Sequence, residues 1–398
     1  MDTSKKILIV SFYFYPEIGA APSRITNLAK GLHGRGYHVD VLTCLPNYPK
    51  GKIFEEYRSF YRLHEMIDHI NVYRYWTYAS ISKSPIKRIW GMTSFAVCLW
   101  QFAFKRKQIR QYDYIIIQTP PLIVSFSSVL LFKILYKKKI ILNISDLWPT
   151  SAVELNVIKE GSKMHKILLK IESFIYRKSD RVMGQSGEII QHVKTICKDK
   201  DCFLYRNLQL YKQKGSVRNK NRKLKIVYAG LLGVAQDIFS IIKNIDFWDL
   251  DVELHLYGGG NQKEMIEKYI SSKQTNIFYH GYIPKEQIET ELSKYDVSIV
   301  PLVVHIKGAV PSKIFDLLPL GIPVLFCGGG EGAEIIEKHD LGLTSLPGDF
   351  SRLKENIVEF KNMSDENYEM ISKNCIETAK SEFDFTHQLD KFISYIEK

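Results

Sequence analysis

Cysteine is sparse in this chain of 398 residues, and its spacing is uninformative for metals. The six cysteines, Cys44, Cys98, Cys197, Cys202, Cys327 and Cys375, form no C-x2-C pair and keep no histidine at metal-ligand spacing. That pattern excludes a structural zinc site and predicts free thiols in a reducing compartment. Long apolar runs are missing too. The longest, residues 122–135, is interrupted by Lys133 and is shorter than the roughly 20 residues a membrane-spanning helix requires, so a buried helix is expected there. The opening MDTSKKILIVSFYFYPEIG lacks a signal peptide's apolar region and cleavage site, which predicts a cytoplasmic chain. Basic clusters such as Lys105-Arg106-Lys107 and Lys137-Lys138-Lys139 come without any recognisable nucleic-acid module, and no nucleic acid is expected as a partner.

What is present is the composition of a soluble globular protein, 45% hydrophobic and 25% charged, in a chain long enough for two cores. The net charge of +12 is unevenly spread: the first 210 residues are strongly basic, 211–225 carry only positive charge, and the remainder is acidic. A basic half suits an anionic bilayer or a phosphorylated ligand; the same clusters are also what ordinary solvated helix ends look like.

Apolar runs at 6–14, 38–43, 114–118 and 139–144 read as strands. Helical spacing at 24–35 and from Pro120-Pro121 through Leu135 lies between them, giving βαβ units and a parallel sheet. The polar, basic stretch YKQKGSVRNKNRKLK at 211–225 reads as a linker. The alternation then restarts, with strands at 225–229, 252–257, 277–280 and 297–300. We therefore expect an α/β protein of two Rossmann-like domains with parallel sheets: 1–210, the linker, 226–380, and a C-terminal helix from 381–398 that packs back on the first domain. The ligand crevice of such folds lies outside the carboxyl ends of the strands, and a cleft between the two domains is the expected site.

The segment VPSKIFDLLPLGIPVLFCGGGEGAEII, 310–336, places Lys313 and Asp316 near a helix start, breaks at Gly321-Ile322-Pro323, continues as a buried strand at 324–327, and ends in Gly328-Gly329-Gly330 before a helix carrying Glu331 and Glu334. Backbone amides and Lys313 suit an anion, and Asp316 suits hydroxyls. Ordinary helix capping accounts for the same residues without a ligand.

Taken in order, YFYPEIGAAPSRITNLAKGLHGRGYHVDVLT, LNISDLWPTSAVEL, YAGLLGVAQDI, LHLYGGG, FYHGYIPKEQI and PSKIFD with GIPVLFCGGGEGAEII resemble the GT-B-fold glycosyltransferases of family 4 over nearly the whole chain. DLWP and PSK are most similar to the subgroup that adds sugars, often N-acetylated amino sugars, to lipid-linked precursors of O-antigen or capsule. The resemblance implies that 1–210 is the acceptor domain and 226–380 the nucleotide-sugar donor domain, with a donor site formed by Gly19, Arg24, Gly230, Gly233, Gly258, Tyr282, Ile283, Lys313, Asp316, Gly330, Glu331 and Glu334. It departs from the family pattern in three places. Gly308 stands where the first glutamate of Glu-x7-Glu is common, YAGLLGVAQDI offers no Arg or Lys for the diphosphate, and Ser145 stands where a histidine is frequent.

Breaking a bond between an anomeric carbon and a nucleoside diphosphate puts negative charge on the phosphate, so cations and amides are needed there. Lys313, the Gly19-Ala20-Ala21 loop and Arg24 are the candidates. Asp146, Lys313 and Glu331 are the expected catalytic groups, with Asp146 binding the sugar or taking the acceptor's proton. No Asp-x-Asp pair is read as placed for magnesium, and metal-independent use of a UDP-sugar as co-substrate is expected, without cofactor. The expected acceptor is an undecaprenyl-diphosphate-linked or other glycan, met by a peripheral protein at the inner face of the cytoplasmic membrane. Residues 88–110, RIWGMTSFAVCLWQFAFKRKQIR, read either as a surface helix with Trp90, Phe95, Trp100 and Phe104 near one side or as core. A UDP-sugar epimerase of the same fold and a non-enzymatic basic scaffold are the competing expectations; the first turns over UDP-sugar without acceptor, the second binds DNA or membrane but no UDP. His255 and His280 are expected to be structural.

Overall fold

The computed structural model describes residues 5–80, 85–210, 223–284, 287–303 and 306–398. The chain divides into two compact units, Met1–Asn207 with Thr386–Lys398, and Leu208–Phe385. Most of the proposed linker, 211–222, lies outside the described residues, and Lys225 already belongs to a strand.

Unit 1 is built on an eight-stranded sheet. Its strands are β1 (Lys6–Val10), β2 (His38–Cys44), β3 (Arg62–Ile67), β4 (Ile70–Tyr75), β5 (Tyr114–Thr119), β6 (Lys139–Ile144), β7 (Arg181–Gly184) and β8 (Asp201–Leu204), in the order β3-β4-β2-β1-β5-β6-β7-β8. All neighbours are parallel except β3 and β4. Runs such as KILIV and YIIIQT are buried along almost their whole length, as strands covered by helices on both faces must be. The β3–β4 hairpin was not expected. Its two-residue turn, Asp68-His69, has φ of 48° and 64°, a conformation the usual Asn-Gly or Asp-Gly signal advertises and Asp-His does not.

Two helical expectations change in detail. Residues 122–135 form an α-helix, Leu122–Val129, that runs on as a π-helical turn, Leu130–Leu135. Of the four aromatic residues expected near one side of 88–110, Phe95 is 0% exposed, whereas Trp90 and Phe104 are 59% and 86% exposed. The helix Pro85–Cys98 and the 3-10 turn Leu99–Phe104 therefore split the set between core and surface. The C-terminal helix Phe385–Glu397 is part of unit 1. Arg35 pairs with Asp390 at 2.8 Å, the Tyr37 hydroxyl donates to Glu397 at 2.6 Å, and Arg181 donates to the Tyr395 carbonyl at 2.6 Å.

Unit 2 carries a six-stranded parallel sheet: β9 (Lys225–Ala229), β10 (Glu253–Tyr257), β11 (Ile277–Gly281), β12 (Val297–Pro301), β13 (Val324–Cys327) and β14 (Gly342–Ser345), in the order β11-β10-β9-β12-β13-β14. The strand order reverses at β9. The chain first adds β10 and β11 on one side and then β12 to β14 on the other, so the crevice at the carboxyl ends of β9 and β12 is the topological switch point.

Candidate functional site

The loops leaving β9 and β10 are stacked backbone on backbone. Gly230 N–H donates to the Tyr257 carbonyl and Leu232 N–H to the Gly259 carbonyl, both at 2.9 Å. A Cβ at Gly258, where φ is +125°, would sit 1.8 Å from the Gly230 oxygen, and one at Gly260 would sit 2.2 Å from that of Leu232. Only glycine permits this approach. On the other side of Gly230 lies Lys313, in the first turn of the helix Ser312–Leu317. A Cβ on Gly230 would fall 2.3 Å from Lys313 Cε and 2.4 Å from its Nζ. The ammonium also stands 5.6 Å from the centre of the Tyr228 ring. Burial pushes the Lys313 pKa down and the charge of Asp316 pulls part of that back, so the site is one in which a second negative charge would be welcome.

The other expected donor residues of unit 2 arrange themselves around this centre unequally. Gly330, with φ +66°, caps the helix Glu331–Lys338; Glu331 is buried at its first position and Glu334 is exposed one turn on. Gly328 and Gly332 both lie against the Phe326 ring, where a Cβ would come within 2.7 Å. Gly233 closes the turn into Asp237, whose side chain receives Gln262 Nε2 at 2.7 Å. Tyr282 and Ile283 follow β11; the former is 70% exposed and the latter is buried. Gly308 has φ +83°, a conformation that a glutamate would occupy only under strain. His255 and His280 are not isolated: their rings meet at 2.9 Å across β10 and β11, and His255 also reaches Glu253 at 3.1 Å.

Unit 1 gives a different outcome for Arg24. Its guanidinium is buried and donates to Asn143 Oδ1 at 2.6 Å and to Gln185 Oε1 at 3.3 Å, with the Tyr205 ring 5.4 Å away. Burial lowers its pKa to about 10. Arg24 thus ties the helix Ala20–Gly34 to the ends of β6 and β7, while its buried Nε has no hydrogen-bond partner among the described residues. Gly19, with φ +147°, precedes that helix and packs against Tyr48. Asp146, in the loop after β6, accepts from Ser151 Oγ at 3.1 Å, and burial raises its pKa to about 6. Ser145 beside it receives Gln118 Nε2 at 2.7 Å.

Glu17 is a buried carboxyl of unit 1 that sequence reading passed over. Its buried carboxyl accepts the amides of Asn47 and Tyr48, each at 2.8 Å, and of Phe14 at 3.2 Å, and burial raises its pKa to about 7. It clamps the loops after β1 and β2 together. Two Asp-x-Asp spacings were passed over as well. In Asp199-Lys200-Asp201, Asp201 pairs with Arg181, and in Asp249-Leu250-Asp251, Asp251 pairs with Lys223 and Lys361. Among the described residues no group of three or more His, Cys, Asp or Glu is arranged to hold a metal.

With this geometry in place, the chain can be compared with known proteins. The family described as glycosyl transferase 4-like domain matches residues 19–196, and that described as glycosyl transferases group 1 matches 224–362. The chain is a family 4 glycosyltransferase of the GT-B fold. Among curated relatives it is 23% identical over 337 residues to the putative colanic acid biosynthesis glycosyl transferase WcaI of Escherichia coli K12, covering 79% of this chain and 81% of that one. It is 24% identical over 241 residues to the probable glycosyltransferase WbjE of Pseudomonas aeruginosa, covering 56% of this chain but only 60% of that relative's length. Solved structures with the same fold include sucrose-phosphate synthase from Thermosynechococcus elongatus, at TM-score 0.73 and 14% identity over 99% of this chain and 98% of that one. Anabaena HepE in complex with UDP and glucose matches at TM-score 0.67 and 13% identity, over 99% of this chain and 100% of that one. The transferase is thus related to enzymes of polysaccharide biosynthesis.

Proposed function

We propose that this transferase moves a sugar, a hexose or an N-acetylated hexosamine, from a UDP-sugar to a lipid-linked saccharide with retention of anomeric configuration. The observation that carries the reading is the Lys313 ammonium laid against Gly230 beside the Gly258 and Gly260 close approach, at the switch point of the unit 2 sheet. Backbone amides and one desolvated cation suit a diphosphate. HepE, which shares the fold, was solved with UDP and glucose, and a trehalose-6-phosphate structure from E. coli with UDP-2-fluoro glucose; both support UDP as the nucleotide.

In the reaction proposed, the bond between the anomeric carbon and the β-phosphate oxygen breaks and its electron pair leaves with UDP. Lys313 and the loop amides stabilise that charge. Asp316, Glu331 and Glu334 take hydrogen bonds from donor hydroxyls. The acceptor hydroxyl forms the new bond on the same face of the sugar and gives its proton to Asp146 or to the departing phosphate. Metal is not required in this scheme. The acceptor is read as lipid-linked, and the protein as peripheral at the inner membrane face, because one relative is named a putative colanic acid biosynthesis glycosyl transferase and because unit 1 is basic with exposed aromatic residues on the helix Pro85–Cys98 and the turn that follows it. No helix among the described residues is long and apolar enough to cross a membrane.

Calorimetry with UDP, GDP and UDP-sugars, with and without EDTA, tests the reading. UDP should bind more tightly than GDP and EDTA should change nothing. Binding that vanishes on chelation and returns with magnesium would sink the metal-independent scheme, and UDP-sugar turnover without any acceptor would transfer the case to an epimerase.

A further inference from the structure

The loop that carries Gly258 is gripped from its outer side by β11. The Gly258 N–H donates to the Gly281 carbonyl at 2.6 Å, and the Gly258 carbonyl accepts from the Tyr279 hydroxyl at 2.7 Å. Both backbone polar groups of that one residue are thus taken by the residues on either side of His280. β11 is the edge strand of its sheet and pairs with β10 alone among the described residues, so no further strand fixes where those two partners stand. Its register also slips at this point: Leu256 faces Tyr279, but Tyr257 faces Gly281. His280 is the extra residue of a β-bulge, a device that re-aims the end of a strand and recurs beside active sites.

A ladder of side chains pins the bulge. Glu253 and His255, two positions apart, project from one face of β10. His255 Nε2 lies 3.1 Å from Glu253 Oε2, and His255 Nδ1 lies 2.9 Å from His280 Nε2. A carboxylate only accepts, so His255 carries its proton on Nε2, its Nδ1 is the acceptor, and His280 Nε2–H is the donor. Burial lowers the pKa of both imidazoles below the ordinary 6.5, which keeps both rings neutral at pH 7.5 and gives the ladder one direction. The charges around the pair are themselves paired: Lys225 lies 3.5 Å from Glu253, and Lys294 meets Glu291 of the helix Ile288–Leu292. The Tyr257 ring stacks on His280 with centroids 4.5 Å apart and planes at 19°, and its hydroxyl donates to Glu291 at 2.7 Å. His280 is therefore packed as well as bonded, although it stands at the surface.

We propose that His280, held through His255 by Glu253, is a positioning residue of the donor site: it sets the bulge from which Tyr279 and Gly281 hold the Gly258 loop against Gly230. The path to the cation is short, because Gly230 touches the Gly258 loop on one side and the Lys313 side chain on the other. Close-packed backbone yields little, so a slip of β11 is passed on to the amides beside the Lys313 ammonium. The inference rests on the reading of unit 2 as the site of a nucleoside-diphosphate sugar, and adds to it the device that fixes the outer loop of that site.

The test compares the parent with His280→Ala, which removes the donor, and His280→Gln, whose side-chain amide reaches as far as Nε2 and restores it. Hydrogen exchange read by mass spectrometry reports on the loop without any ligand. The segment 256–260 should exchange about fivefold faster in His280→Ala, the effect of one lost hydrogen bond, and at the parent rate in His280→Gln. UDP titrated by calorimetry reports on the site, and its affinity should fall about fivefold or more in His280→Ala and return in His280→Gln. An alanine variant whose loop exchanges like the parent's overturns the proposal. So does one whose loop exchanges faster, or whose melting temperature falls, while UDP binds as it does to the parent, since the pair is then purely structural. Alanine and glutamine variants that fail alike overturn it too, because the ring and not its N–H is then what matters. A parent that binds no UDP removes the donor reading instead, and the exchange measurement by itself then decides whether His280 holds the loop.

Discussion

A cation whose pKa burial has already lowered is expensive to keep and correspondingly effective when an anion arrives. Lys313 is such a group, resting on Gly230 with Asp316 as its nearby countercharge. Its replacement by Ala should cut turnover by about 10² or more, the usual loss for one preorganised charge-stabilising donor, with thermal stability little changed. A near-normal rate would return the phosphate charge to the loop amides or to Arg24. Asp146 makes a second test through pH. Burial lifts its carboxyl from the ordinary 3.8 to about 6, so the ionised form costs stability in the folded state. That cost is absent below 3.8, where folded and unfolded chains are both protonated, and complete above about 6. Asp146→Asn should therefore raise the melting temperature at pH 7.5 and leave it unchanged at pH 3.5. If the carboxylate also serves as the acceptor's base, kcat/KM should rise with pH through about 6 in the parent and lose that limb in the variant. A parent profile flat across pH 5 to 7 would leave Asp146 a purely structural group.

At the scale of elements, the crossing of the β9 and β10 loops makes the sharpest claim. Gly258→Ala must place a Cβ 1.8 Å from a backbone oxygen that cannot rotate away, at a φ that L-residues avoid. The expected cost is on the order of 3 kcal/mol, together with loss of UDP binding. Gly259→Ala, next door, meets nothing within 4 Å and should be silent in both melting and calorimetry. Equal behaviour of the two variants would mean the loops do not touch as described. Strand β9 was legible because KIVYA is β-rich, bounded by glycine, and buried on both faces. The β3–β4 hairpin was not, because its faces alternate as RLHEMI without a glycine turn to announce them. Site residues followed the same division. Lys313 sits where local pattern put it, near a helix start, whereas Arg24, Glu17 and the His255–His280 pair owe their roles to partners 119, 30 and 25 positions away. Nothing local in a sequence encodes such distances.

For the whole molecule, the separation of charge between the basic first half and the acidic second half has a direct physical consequence at a membrane. Each surface Lys or Arg near anionic headgroups contributes about 1 kcal/mol at low salt, and Lys105, Arg106 and Lys107 are all exposed beside Phe104, which is itself 86% exposed. Aromatic residues at the surface add an apolar anchor when they can enter the interface, and Trp90 is free to do so where Phe95, buried in the core, is not. Lys105→Glu/Arg106→Glu/Lys107→Glu should therefore weaken co-sedimentation with vesicles rich in phosphatidylglycerol, most strongly at low salt, while Trp90→Ser/Phe104→Ser should leave a residual attachment that salt removes completely. UDP affinity should be the same in both variants, because the site proposed for it lies in unit 2. A charge-reversed protein that pellets with vesicles as well as the parent does, at low and high salt alike, would make the patch an ordinary solvated helix end, and a lipid-linked acceptor would then have to be reached without electrostatic docking by this surface.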